Sequence, residues 1–379
     1  MRLIPGKSIM LAGLVALLLI MVACSPAAAP TPTPIPKVPA STAVPAKTPA
    51  ASTPAASAAA TPSPTPKPAT LKFGTIPSAA YAGFYVANDK GYFKEQGITM
   101  ETVSFTSVAD LIAPAGTGQV DVIALPVSSP LLAAGDRGVD LKIVASSSQS
   151  LPNYEHAWVL LRKDLKDSGK INSLADLKGQ KIAIPSPGSM GEQTVQMAME
   201  QAGLKPTDLE VIVLPFADQA TALGNGALAA THAMEPNIAL SIQRGIAVKW
   251  IPSSPLFGGK VQSTVIVFGP TMLKDKDLAQ RWMVAYLKGS RDYIKSLTTA
   301  EGRQAVAQIL AKYTPVKDLS VYNDMEMPFA EPNGTLDKKS MDVIYKWLAA
   351  KGLYTGKKTP DDMTDLSYLD YAVQKLGKQ

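Results

Sequence analysis

The strongest constraint on this 379-residue chain is a break in composition near residue 70. Residues 25–70 hold 13 of the 31 prolines, set among Ala, Thr and Ser, with no glycine, aromatic or acidic residue. Such a stretch cannot bury enough apolar surface to offset the entropy lost on ordering. It is expected as an extended polyproline II tether, which at ~3.1 Å per residue would reach on the order of 140 Å. A glycosylated stalk would have the same composition. The fold must come from residues 71–379, enough chain for two lobes with their own cores.

The apparent positive charge belongs to the N-terminal segment. Of the 37 Lys and Arg residues, Arg2, Lys7, Lys37, Lys47 and Lys67 precede residue 71, leaving 32 basic against 31 acidic residues beyond it. A nearly neutral folded part offers no electrostatic footprint for nucleic acid. One Cys and two His exclude a disulfide framework, a Cys/His zinc site and an iron–sulfur cluster, so neither a metal nor a cofactor is expected.

Arg2 and Lys7 lead into an uncharged apolar run over 9–23, shorter than the ~20 residues of a spanning helix. This reads as a signal-peptide hydrophobic region, residues 1–23. It ends in Met21-Val22-Ala23-Cys24-Ser25, which resembles the bacterial lipoprotein cleavage box, with Met21 in place of the usual Leu. The resemblance implies lipidation of Cys24, with the protein anchored on the outer face of the bacterial cytoplasmic membrane.

From residue 71 apolar runs alternate with amphipathic stretches. Strands are expected at 71–76, 98–105, 120–125 and 141–145, helices at 81–96 (stopped by Gly97), 107–116 and 129–134. The pattern restarts at Ser173 with strands at 181–185 and 210–215 around a helix at 189–202, and the C-terminal region is mainly helical. Connections too long for hairpins imply parallel sheets with right-handed crossovers. Two apolar extended segments, 158–162 and 263–268, bracket the second unit as hinge crossings would. The expected organisation is lobe 1 from 71–160 and 264–379, and lobe 2 from 161–263.

Four blocks in order resemble one family: residues 82–98 (AGFYVANDKGYFKEQGI), 118–122 (GQVDV), 173–185 (SLADLKGQKIAIP) and 226–236. They are similar to solute-binding proteins of the nitrate/sulfonate/taurine and thiamine-pyrimidine class. The resemblance implies a type II periplasmic-binding-protein fold, two α/β lobes joined by two crossings with ligand between them. It further implies a small-molecule ligand and an ABC permease with its ATPase as partners. A monomer is expected. Relatives usually carry Asp where this chain has Ala229, so whatever that Asp fixes must be held differently.

Candidate contacts lie where strands give way to helices, the edge at which open α/β sheets bind ligands. Ser186, Gly188 and Ser189 open the helix at 189–202, whose free N–H groups favour an anion or dipole, while Ser189 and Glu192 also form a capping box. Ser78 and Tyr81 follow the first strand, and Tyr81 could stack on a flat ligand; Ser128 and Ser129 follow the third. Glu235 could accept from an amine, or cap the helix after Pro236. Tyr154 and Trp158, near the first crossing, read as packing, and His156 and His232, with no second ligand at metal spacing, as structural. The loops 76–81, 126–130 and 186–191 hold no Arg or Lys, which favours a monoanion, such as a sulfonate, or a neutral pyrimidine-like heterocycle over a doubly charged oxyanion.

No nucleophile-elbow, zincin or phosphate-loop sequence is present. Pyrimidine-synthesising relatives use a Cys-rich motif, and this chain has only Cys24. No enzymatic activity is expected. The alternatives are a sensing or surface lipoprotein on the same fold and a thiamine-pyrimidine-synthase-like enzyme.

Overall fold

A computed structural model describes residues 66–379. The expected signal segment, Cys24 and the tether up to residue 65 lie outside the described residues. The first strand, β1 (Ala69–Thr75), starts two residues inside the expected tether, with Ala69 and Thr70 already paired to Ile98 and Thr99.

Among the described residues, ten strands make two five-stranded sheets. The first contains β1, β2 (Ile98–Ser104), β3 (Val122–Leu125), β4 (Lys142–Ser150) and, much later in the chain, β10 (Val261–Phe268). The second is one continuous length of chain: β5 (Ala157–Arg162), β6 (Lys181–Ile184), β7 (Glu210–Val213), β8 (Ala230–Met234) and β9 (Ala247–Pro252). Their orders are β2-β1-β3-β10-β4 and β7-β6-β8-β5-β9. This is the two-lobed α/β architecture that the resemblance implies.

Two details differ from the sequence-based expectation. The segments 158–162 and 263–268 are not the crossings but lie within β5 and β10, each hydrogen-bonded on both sides. The chain passes between sheets at 151–156 and 253–260. Nor are the sheets purely parallel: β10 runs antiparallel to β3 and β4, and β5 to β8 and β9. The reason is geometric. The other strands end at the edge facing the opposite lobe, so a chain arriving from that lobe enters at the same edge and must run the other way.

The two crossings are stitched together, with Ser254 N–H donating to Glu155 Oε2 (3.0 Å) and Ser253 N–H to the Ala157 carbonyl (3.1 Å). Behind them, Gln262 Nε2 donates to Ser146 Oγ (2.8 Å) and Gln149 Nε2 to Gln262 Oε1 (3.1 Å), so the buried polar stretch shared by β4 and β10 is paired except at Gln149 Oε1, which has no partner among the described residues.

Helices fix the core on the first sheet. The expected helix at 81–96 is broken: Ala82–Asp89 is followed by Gly91 at φ 80°, which glycine adopts without cost, and a further turn at Tyr92–Glu95. The break turns Phe93 inward beside Phe84, which stacks on Phe73 at 3.6 Å. Trp282 and Tyr286 of the helix Lys276–Ser296 close the cluster. Each such buried aromatic contributes about 1.5–3 kcal/mol.

Position 229 has a direct counterpart in the other lobe. Asp121 donates its N–H to the Lys72 carbonyl (3.0 Å), and its Oδ2 accepts the Lys72 N–H (2.7 Å). Ala229 repeats the first bond to Lys181 (2.8 Å) but has no carboxylate for the second. Lys181, like Lys72, is an exposed residue.

Candidate functional site

The carboxyl edges of both sheets face one narrow cleft, with a cavity volume of about 40 Å³. Lobe 1 supplies Ile76, Ser78 and Tyr81 after β1, Thr106 and Ser107 after β2, and Thr264 from β10. Lobe 2 supplies Ser186, Ser189 and Gly191 after β6, Phe216 after β7, and His232 and Met234 of β8. Among the described residues no charged side chain lines it.

Of the expected contacts, Ser78, Tyr81, Ser186 and Ser189 line this cleft. Tyr81 is buried edge-on to Phe73 and Tyr85, and burial pushes its phenol far above the usual range, so it is a neutral donor at any relevant pH. Ser78 and Ser189 are largely occupied by capping. Ser78 Oγ accepts from Ala80 N–H (3.2 Å) and donates to the Glu235 carbonyl (3.3 Å). Ser189 Oγ accepts from Glu192 N–H (3.2 Å) and donates to the Ser186 carbonyl (2.6 Å), while Glu192 Oε2 accepts from Gly188 N–H (2.7 Å). Glu192 takes the Gly188 N–H rather than that of the N-cap Ser189, so the expected capping box is incomplete, but its carboxylate stands at the helix start where an anion was expected.

Ser128, Ser129, Gly188 and Glu235 do not line the cleft. Gly188 and Ser129 meet across the lobes instead. Ser128 is buried with no partner for its hydroxyl among the described residues. Glu235 is buried, and both its carboxylate oxygens accept backbone N–H groups, from Ala239 (3.0 Å) and Glu326 (3.3 Å). Burial pushes its carboxyl up to about 7 against the opposing pull of the Ala239 N–H. Its geometry is that of a cap and an interlobe tie. Tyr154 packs against Phe329, and Trp158 Nε1 donates to the Glu155 carbonyl (2.9 Å). His156 Nδ1 lies 3.0 Å from Ser150 Oγ.

Sequence reasoning read His232 as structural. It is buried, lines the cleft, and has neither ring nitrogen partnered among the described residues. Burial, reinforced by His156, holds it down to about 3, so the ring is neutral. Its signal was the period of two: His232 and Met234 share a strand face at the carboxyl end of β8.

The family described as NMT1/THI5 like matches residues 78–298. The chain belongs to this family. Among NMT1/THI5-like relatives, one from Brucella abortus named as a binding protein is 24% identical over 297 residues, 76% of this chain and 87% of its own. A Saccharomyces cerevisiae 4-amino-5-hydroxymethyl-2-methylpyrimidine phosphate synthase is 32% identical over 136 residues, covering 36% of this chain and 37% of its own. The fold is shared with the ligand-binding component of an ABC-type import system from Staphylococcus aureus, solved with zinc bound (TM-score 0.68, 16% identity, 80% of this chain and 98% of that one). It is shared also with the periplasmic nitrate-binding protein of Synechocystis PCC 6803 (TM-score 0.67, 16% identity, 83% and 90%). No group of three or more His, Cys, Asp or Glu that could hold a metal occurs among the described residues of this NMT1/THI5-like chain, and no described helix is long and apolar enough to cross a membrane.

Proposed function

We propose that this chain is the extracytoplasmic solute-binding protein of an ABC importer. Anchored as a monomer through a lipid on Cys24, it closes two lobes on a small organic solute and presents the closed form to a permease driven by an ATPase, without covalent chemistry. The observation that carries this reading is the cleft itself, lined from the facing edges of both sheets and free of charged side chains. A ligand gripped by both lobes binds the closed form better than the open one, and only such differential affinity can drive closure. The helix start that a monoanion would use already holds the Glu192 carboxylate, so the uncharged lining favours the neutral heterocycle among the expected ligands. Native mass spectrometry of the purified chain, with small-angle scattering before and after solute removal, tests the reading. A carried solute, recovered unaltered and compacting the protein on return, is expected. A converted product at many turnovers per protein would overturn it in favour of an enzyme.

A further inference from the structure

His232 presents a problem that the protein does not solve internally. At 1% exposure, both ring nitrogens lack a partner among the described residues, although buried polar groups are nearly always paired. Gly191 packs directly against it. A Cβ on Gly191 would stand 2.7 Å from His232 Nδ1, so any other residue there would crowd the ring. Gly191 and Met190 are also the first residues of the helix Met190–Gln201, and their N–H groups have no acceptor among the described residues. One wall of the cleft thus offers two N–H donors at the positive end of a helix and, close by, a neutral imidazole with an acceptor nitrogen. An anion is disfavoured, because the Glu192 carboxylate sits in the same helical turn and no Lys or Arg lines the cleft. A carbonyl dipole suits the N–H pair without that repulsion.

We infer that the cleft takes an uncharged solute with an amide-type edge, its carbonyl oxygen on the Met190 and Gly191 N–H groups and its adjacent N–H donated to His232. Phe216, whose ring centre lies 6.4 Å from that of His232, gives the remainder of the solute an apolar wall. The inference rests on the solute-binding reading and adds the chemical class.

The test is calorimetric titration of the full chain, freed of carried solute, with nicotinamide and 2-pyridone against nicotinate and pyridine-3-sulfonate. The amides should bind at least 10-fold more tightly than the matched anions. His232→Phe should weaken amide binding at least 10-fold with an unchanged or higher Tm, since it removes two unpartnered polar atoms, whereas a structural histidine would lower Tm. His232→Asn should restore part of the affinity. Should either variant fail to fold, the imidazole 15N shifts of His232 in the unmodified chain must move on adding nicotinamide. Anions binding as tightly as amides, or amides indifferent to His232 by both readouts, would overturn the inference and leave the solute-binding reading standing. If no probe binds, the amide class falls, and the solute-binding reading falls with it only if the chain also carries no solute in native mass spectrometry.

Discussion

Gly188 in the second lobe stands so close to Ser129 in the first that a Cβ on Gly188 would fall 2.6 Å from Ser129 Oγ. The contact joins the two lobes, and it has room for hydrogen only. Gly188→Ala should therefore prop the lobes apart, weakening solute binding at least 10-fold and enlarging the solute-bound protein in small-angle scattering. Gly188 has φ 65°, so alanine also adds about 1 kcal/mol of local strain. Gly179→Ala is the control, since Gly179 has φ 75° with nothing within 4 Å. Equal affinities for the two variants would show that the contact does not govern closure.

Asp121 ties β3 to β1 with a charge-assisted bond to the Lys72 N–H. Asp121→Ala should lower stability in urea by about 2 kcal/mol, within the usual range for a hydrogen bond to a charged group. A loss below about 0.5 kcal/mol would show that water replaces the carboxylate at Lys72.

Glu235 predicts a pH dependence. Its folded carboxyl is raised to about 7 from an ordinary 4.5, mainly by burial. Its contribution to stability is thus fully present below about pH 4.5 and is lost as pH rises through 7. His156 and His232, held down to about 4 and 3 by burial, act oppositely, losing their contribution as pH falls below 6.5. Comparing chemical denaturation of the native chain with that of Glu235→Gln from pH 5 to 8 cancels the histidines. The difference should change by a few kcal/mol, at about 1.4 kcal/mol per proton per pH unit at most. A flat difference would mean that the Ala239 and Glu326 N–H groups keep the carboxylate ionised throughout.

Cys24 is the sole cysteine and follows the apolar segment at the position a lipid would take. Cys24→Ser should move the protein from the membrane to the soluble fraction with solute affinity unchanged. Membrane retention of that variant would point to an uncleaved apolar segment as the anchor.

Much of this organisation was legible because strand-to-helix junctions are readable and ligands collect at that edge, which brought Ser78, Tyr81, Ser186 and Ser189 to the cleft. Ser129 and Gly188 sit at equally good junctions, yet lobe closure turns them against each other, and a sequence does not state how lobes meet. Glu235 was ambiguous because a carboxylate before a helix serves a ligand or a backbone N–H equally well; here the Ala239 N–H takes it. The place of His232 on the cleft was not foreseen because it lies inside a strand, where its direction depends on a pairing register that only the folded sheet reveals. The same dependence hid the directions of β5 and β10, since apolar runs read alike both ways.

The placement of β10 has a consequence for the order of folding. It lies between β3 and β4, although Gln149 and its partner Gln262 are 113 positions apart, with the whole second sheet in the intervening chain. Closing so long a loop is entropically costly while that chain is unstructured, and non-local pairings form slowly. A folded second sheet brings the two crossings side by side and shortens the effective loop. The second lobe should therefore acquire hydrogen-exchange protection first, with amides of β5 and β8 slowing before those of β3, β4 and β10. During synthesis the first half of lobe 1 would wait with an unpaired β3 edge until residue 268 emerges, so that edge is where association between immature chains should begin.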